Sequence, residues 1–215
     1  MTHDELIEKL AADTKAIRKP AGAGVSTAAW VGCSILTLGA VFATVLTLRN
    51  DLNSMAGRLW FLLNLFSLVA VFVFACYAGF VSAIPGRPKP LKALLAVQLA
   101  LLGFFLTLIP SLLHMPLENS FRVGLSASGL KCSCALALLG VVPALLLFFA
   151  VRRLASVKPS KTARMIGLAM GAMGAFGLSF DCMVPNPVHI IVYHGLPILL
   201  LGVVGMLAGD RIQRW

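Results

Sequence analysis

Charged side chains are scarce in this sequence, at 12% of its residues, and acidic ones are scarcer, with 8 Asp and Glu against 18 Lys and Arg. With 59% of residues hydrophobic and a mean hydropathy of +0.93, that scarcity excludes a soluble globular domain, because one aqueous core could not bury so much apolar surface. CxxC pairs are absent. Their absence counts against a membrane thiol oxidoreductase, which needs a redox-active pair at the outer face and a second pair or a quinone pocket. The apolar stretches have few polar interruptions, the evident ones being Gln98 and His194, with Asn64 near a span end. A small transporter would ordinarily carry more. The opening MTHDELIEKLAADTKAIRKPAGAG holds four carboxylates and lacks the basic start and apolar middle of a signal peptide, so the protein is expected to enter the membrane through its own first span.

What is present is a series of long apolar runs. A bilayer core of about 30 Å takes about 20 helical residues, and six stretches approach that length, at 25–48, 60–83, 92–113, 132–151, 165–180 and 189–208. The fifth, MIGLAMGAMGAFGLSF, is the shortest and the richest in Gly and Met, which fits a span packed closely against its neighbours. The expected fold is all-α: a six-helix transmembrane bundle, one membrane domain over 25–208, between a cytosolic segment 1–24 and a tail 209–215.

The net charge of +10 is read as topology rather than as nucleic-acid binding, because the basic residues flank apolar segments. The N-terminal segment, the second and fourth connections and the C-terminal tail together hold fourteen Lys and Arg. The opposite side holds four, Arg49, Arg58, Arg122 and Lys131. Cytoplasmic loops retain Lys and Arg, so both termini are expected in the cytoplasm, with the lipid bilayer as the protein's immediate surroundings. Trp60 and Trp215, at span ends, suit interfacial anchoring.

This orientation places Cys132, Cys134 and Cys182 at the outer, oxidising face. Cys33 and Cys76 are read as small packing residues within spans. Lys131 beside Cys132 could favour a thiolate. Cys132 and Cys134 are turned about 200° apart on a regular helix, so a clip between Cys182 and either Cys132 or Cys134 is expected rather than one between the two neighbours. His114, His189 and Asp181 could add ligands to such a clip, although each alone is more often an interfacial polar residue, and no resident metal or cofactor is assigned. His194, inside the last span, is a weaker site candidate and more simply structural.

The N-terminal stretch THDELIEKLAADTKAIRKP reads as one amphipathic helix with a capping box from Thr2 to Glu5 and closure at Pro20. Leu6, Ile7, Leu10, Thr14 and Ile17 share a face. Such a short helix needs something to lie on. Its mixed charge and lack of aromatics favour a protein groove over a lipid surface.

The sequence resembles the NrsF family of bacterial membrane-bound anti-sigma factors. The resemblance lies in DELIEKLAADTKAIRKP, in LKC opening the fourth span and VVPALLLFFAVRR closing it, in FDC after the fifth, and in VYHGLPILLLGVVGMLAGDRIQRW at the end. It implies a six-span inner-membrane protein whose cytosolic N-terminal region, here Leu6, Ile7, Leu10 and Ile17, holds an extracytoplasmic-function sigma factor inactive. It also implies two envelope-facing cysteines that report heavy-metal or oxidative stress. Carried onto this chain the pair is Cys132 and Cys182, since Cys132 follows a basic residue as in the family. Cys134 departs from the two-cysteine pattern.

Overall fold

The structure is a computed structural model that describes residues 2–12, 21–44, 48–84, 86, 90–114, 121–122, 124–125, 128–152, 154, 156 and 158–212. Among the described residues there are helices and no strand. The first helix, α1 (His3–Ala12), opens with the expected reciprocal cap: Thr2 N–H donates to Glu5 Oε2 at 2.7 Å and Glu5 N–H to Thr2 Oγ1 at 3.3 Å. It buries none of its side chains, so Leu6, Ile7 and Leu10 are exposed on it. Ile17 and the remainder of the expected helix lie outside the described residues.

The bundle follows as α2 (Ala23–Thr44), the short α3 (Leu52–Ala56), α4 (Leu59–Ala83), α5 (Leu91–Leu106) continued by α6 (Ile109–His114), α7 (Ser128–Arg152), α8 (Pro159–Leu178), α9 (Pro187–Ile190) and α10 (Leu196–Ile212). A π-helical turn, Ile191–Gly195, joins α9 to α10 without a break. Two buried side-chain donors find partners across the bundle, as a low-dielectric surrounding favours. Trp30 Nε1 donates to the Pro143 carbonyl at 2.9 Å, tying α2 to α7. The Asn64 amide donates to Thr107 Oγ1 at 2.9 Å, tying α4 to the end of α5.

Among the described residues five helices, not the six expected, are long and apolar enough to cross a membrane: Ala23–Thr44, Leu59–Ala83, Leu91–His114, Gly129–Arg152 and Pro187–Arg211. The exception is α8, and its position explains its composition. It packs against α4, α7 and α10, and from Met165 to Leu178 only Met170 and Phe176 are not buried. The other helices turn large apolar side chains outward, Leu36, Phe66, Leu99, Leu138 and Val204 among them, whereas among the described residues no large exposed hydrophobic lies on α8. A helix enclosed by protein gains from small residues that let backbones approach, not from bulky ones that meet lipid. A Cβ at Gly174 would lie 2.2 Å from the Leu136 carbonyl oxygen, and one at Gly167 2.1 Å from that of Leu201, so these glycines set how closely α7 and α10 approach α8.

Two contacts show that α8 runs the length of the bundle. At its start Ser160 N–H donates to Asp210 Oδ1 at 3.2 Å, near the end of α10. Just beyond its end, Cys182 lies against Cys132 in the first turns of α7. That second end also gathers the connection at 49–58, where Arg49 N–H donates to the Phe180 carbonyl at 2.9 Å.

Candidate functional site

The chain beyond α8 does not turn away at once. Successive turn bonds, Ser179 to Ala175, Phe180 to Gly177, and Cys182 to Leu178 at 2.8 Å, hold Cys182 against the end of the helix at 7% exposure. Its Sγ stands 3.9 Å from Cys132 Sγ and 3.5 Å from His189 Nε2. Of the thiols weighed from the sequence, the structure brings together Cys132 and Cys182; Cys134, two residues further along α7, is exposed on another face. Cys76 is buried, as a packing residue should be, but Cys33 lies exposed on α2 rather than packed within the bundle. Lys131 is exposed. His114, on α6, donates from Nδ1 to its own helix at Pro110 O, 2.8 Å away, and is not in the group.

Both histidines on the other side of the site are placed by the sequence VPNPVHIIVYHGLP. Asn186 caps α9, its side-chain oxygen accepting from the N–H groups of Val188 at 2.9 Å and His189 at 3.3 Å, while Pro187 takes the first helical position where no N–H is needed. His189 and His194 are five residues apart, which on an α-helix would turn them about 140° from one another. The π-helical turn between them, closed by Leu196 N–H to Ile191 O, is one residue wider and brings them together edge to face instead, with ring centroids 5.6 Å apart and planes at 67°. Pro197 explains the wide turn: it has no N–H to offer the Tyr193 carbonyl and its ring crowds that oxygen. The freed carbonyl is taken by Ser133 Oγ at 3.1 Å, so the residue between the two cysteines of α7 fastens α7 to the π turn.

The result is a four-residue group, Cys132, Cys182, His189 and His194, with one ligand-type atom from each within 4.8 Å of all the others. Three are buried and Cys132 is half-buried. His189 is 0% and His194 3% exposed, and among the described residues neither His189 Nδ1 nor His194 Nε2 has a hydrogen-bond partner. The residues weighed as ligands from the sequence therefore divide. His189 is in the group, and His194, read there as structural, joins it. The missed signal is the Pro197 that follows Tyr193 by four residues, which breaks the α-helical ladder between the two imidazoles.

A cavity of about 460 Å³ opens beside this group, lined among others by Arg49, Arg58, Asn64, Thr107, Cys182 and His194. Arg49 is held in the wall by a two-point pairing with Asp51, Nε to Oδ1 at 2.5 Å and Nη2 to Oδ2 at 2.8 Å. That bond, more than charge proximity alone, lowers the Asp51 carboxyl below its usual range and raises the Arg49 guanidinium.

Residues 10–215 match the model of the family NrsF, described as negative regulator of sigma F. No curated protein and no solved structure matches the chain.

Proposed function

From the premise that this chain belongs to the NrsF family, negative regulators of sigma F, we propose that it is an anti-sigma factor, a regulator rather than an enzyme, which sequesters an extracytoplasmic-function sigma factor at the inner membrane. In this reading segment 1–24 binds the sigma factor, 25–208 is the membrane domain and 209–215 a cytosolic tail. The protein releases its partner when envelope-facing thiols meet a heavy metal or an oxidant.

The observation that carries the sensing half is the Cys132 to Cys182 approach at 3.9 Å. Two thiols so close need only a local shift to share a disulfide or a soft ion. Cys134, exposed and turned away, is not part of the sensing pair. The binding half is supported by α1, whose Leu6, Ile7 and Leu10 form an apolar face that is exposed among the described residues. The family match begins at Leu10, so most of that face precedes it.

The topology in this proposal has six passes. The 20 residues of α8 reach about 30 Å, enough to cross a bilayer core inside a sleeve of neighbouring helices. Six passes return both termini to one side, the side that then carries fourteen of the 18 Lys and Arg and is therefore cytoplasmic. The thiol end of the bundle faces the envelope. Modification there acts on α7 and on the end of α8, and both lead to the basic connection 152–164 on the cytosolic side. The signal shifts sigma binding only by its difference in free energy between two states; a coupling of about 1–3 kcal/mol changes affinity roughly 5–150-fold.

The test is co-purification of candidate sigma factors with the full-length membrane protein, before and after a thiol oxidant or a heavy-metal salt. Retention followed by release, with release lost in Cys132→Ser and Cys182→Ser and kept in Cys134→Ser, supports the proposal. Failure of every sigma factor to bind, or equal binding by a chain lacking residues 1–20, removes it.

A further inference from the structure

We infer that Cys132, Cys182, His189 and His194 form one closed, four-ligand N2S2 site for a d10 divalent cation of the zinc class. The site itself stands on geometry; its part in signalling rests on the sensor reading above.

The distances fit such an ion better than they fit a disulfide. A tetrahedral zinc site with bonds of about 2.0–2.3 Å has ligand-to-ligand edges of about 3.3–3.8 Å. Here the sulfur-to-sulfur edge is 3.9 Å and the Cys182 to His189 edge 3.5 Å. The longest edge in the group is within 4.8 Å, so closure around an ion asks for a movement of about 1 Å. A disulfide, at about 2.05 Å, asks the two sulfurs to move nearly twice as far.

The histidines supply a second, separate observation. Buried polar atoms are nearly always hydrogen-bonded, yet His194, 3% exposed, leaves Nε2 without a partner in the interior. A cation provides that partner. His189 turns its Nε2 toward the same group, 3.5 Å from Cys182 Sγ. The π-helical turn then has a purpose: it brings two histidines onto one face that an uninterrupted α-helix would have separated.

Charge decides between metal classes. Binding a dication displaces one proton from each thiol to solvent, so two thiolates, two neutral imidazoles and the ion sum to zero. A neutral complex is the one form in which a dication rests inside an apolar bundle without burying net charge. Two thiolates with two imidazoles favour Zn2+ and its heavier congener Cd2+, and disfavour hard Mg2+ or Ca2+. Because the same two sulfurs serve either fate, an occupied metal site and a Cys132 to Cys182 disulfide exclude one another. Metal and oxidant therefore compete for a single switch instead of acting at separate places.

The experiment uses the reduced full-length protein in detergent. Zn2+ is titrated in competition with a chromophoric chelator, Co2+ serves as a spectroscopic probe, and X-ray absorption at the zinc edge counts the ligands of the unmutated protein. One Zn2+ per chain, tetrahedral Co2+ bands with thiolate charge transfer, and two sulfur with two nitrogen neighbours are expected. His189→Gln or His194→Gln should weaken Zn2+ binding by at least the roughly 10–100-fold that loss of an outer partner produces. Both variants should still form the Cys132 to Cys182 disulfide under oxidant, which shows that they are folded. Bound Zn2+ should slow that oxidation in the unmutated protein at least tenfold, as roughly 90% occupancy would. A six-coordinate Co2+ spectrum, a sulfur-only shell, or histidine variants that bind Zn2+ unchanged overturns the site while leaving the thiol sensor intact. Tight N2S2 binding with no effect of the thiols on sigma release would instead remove the sensor reading and leave the site standing.

Discussion

Pro197 and Ser133 act on one carbonyl: the proline withholds the N–H that Tyr193 O would have bonded, and the serine hydroxyl donates to it from α7 at 3.1 Å. Through that oxygen the start of α7 is fixed to the π turn that brings His189 and His194 together.

Pro197→Ala should therefore separate the histidines without unfolding the bundle. It restores an N–H for Tyr193 O, lets the segment relax toward regular α-helix and turns His189 and His194 apart by up to about 140°. The expected result is a loss of at least about tenfold in Zn2+ affinity, comparable to losing a ligand's support, with helicity by circular dichroism unchanged. A variant that binds Zn2+ as the original does would show that the π turn is not set by this proline.

Oxidation of the purified protein should join Cys132 to Cys182 and leave Cys134 free. Peptide mass mapping after mild oxidant should find the first two linked and the third open to alkylation. Cys134→Ser should behave as the original, whereas a crosslink from Cys134 to Cys182 would place the start of α7 differently from the arrangement seen here.

Gly174→Ala should destabilise the bundle. The new Cβ would stand 2.2 Å from the Leu136 carbonyl oxygen, a backbone atom that cannot swing aside. Pushing α7 from α8 is an overpacking effect of about 1–3 kcal/mol, visible as a lower unfolding temperature in detergent. Since Cys132 lies on α7 and Cys182 beyond α8, the same variant should also slow disulfide formation between them.

Acid should loosen the connection over the cavity. The Asp51 carboxyl is lowered from its model-compound value of 3.8 chiefly by its hydrogen bond to Arg49, so its contribution is present above that value. It is lost as pH falls through the lower folded value. Asp51→Asn should reproduce the acid effect at neutral pH, read as faster alkylation of Cys182 behind the Arg49 wall. Because Asp51 is exposed, the effect should be one of access, with little change in global stability.

Polar substitution of the α1 face, Leu6→Ser with Leu10→Ser, should weaken sigma-factor retention by at least about tenfold while the protein still inserts and still binds Zn2+. Truncating buried apolar anchors in a helix-in-groove interface ordinarily removes about 2 kcal/mol or more. Unchanged retention in a quantitative pull-down would move the binding surface away from α1.

Much of this protein was legible in its residues. Scarce charge and long apolar runs foretell helices long and apolar enough to cross a membrane, and the spacing of Thr2 and Glu5 foretells the cap that α1 makes. The spans follow from hydropathy wherever a helix faces outward. For α8 that rule fails, because its neighbours rather than lipid cover it, and the run of Gly, Ala and Met records close packing rather than apolarity. The angle between Cys132 and Cys134 shows that one of them turns away, but residue spacing alone does not say which.

What the sequence determined by itself is thus local: helix periodicity, caps and the proline that interrupts a ladder. The tertiary structure alone decided that Cys132 rather than Cys134 meets Cys182 across fifty residues, and that His194 belongs with them. The physical reason is that those contacts depend on how α7 and the π turn are rotated about their own axes against α8. That rotation is set by close backbone approaches such as Gly174 on Leu136 and by the Ser133 to Tyr193 bond, which exist only once the helices have packed.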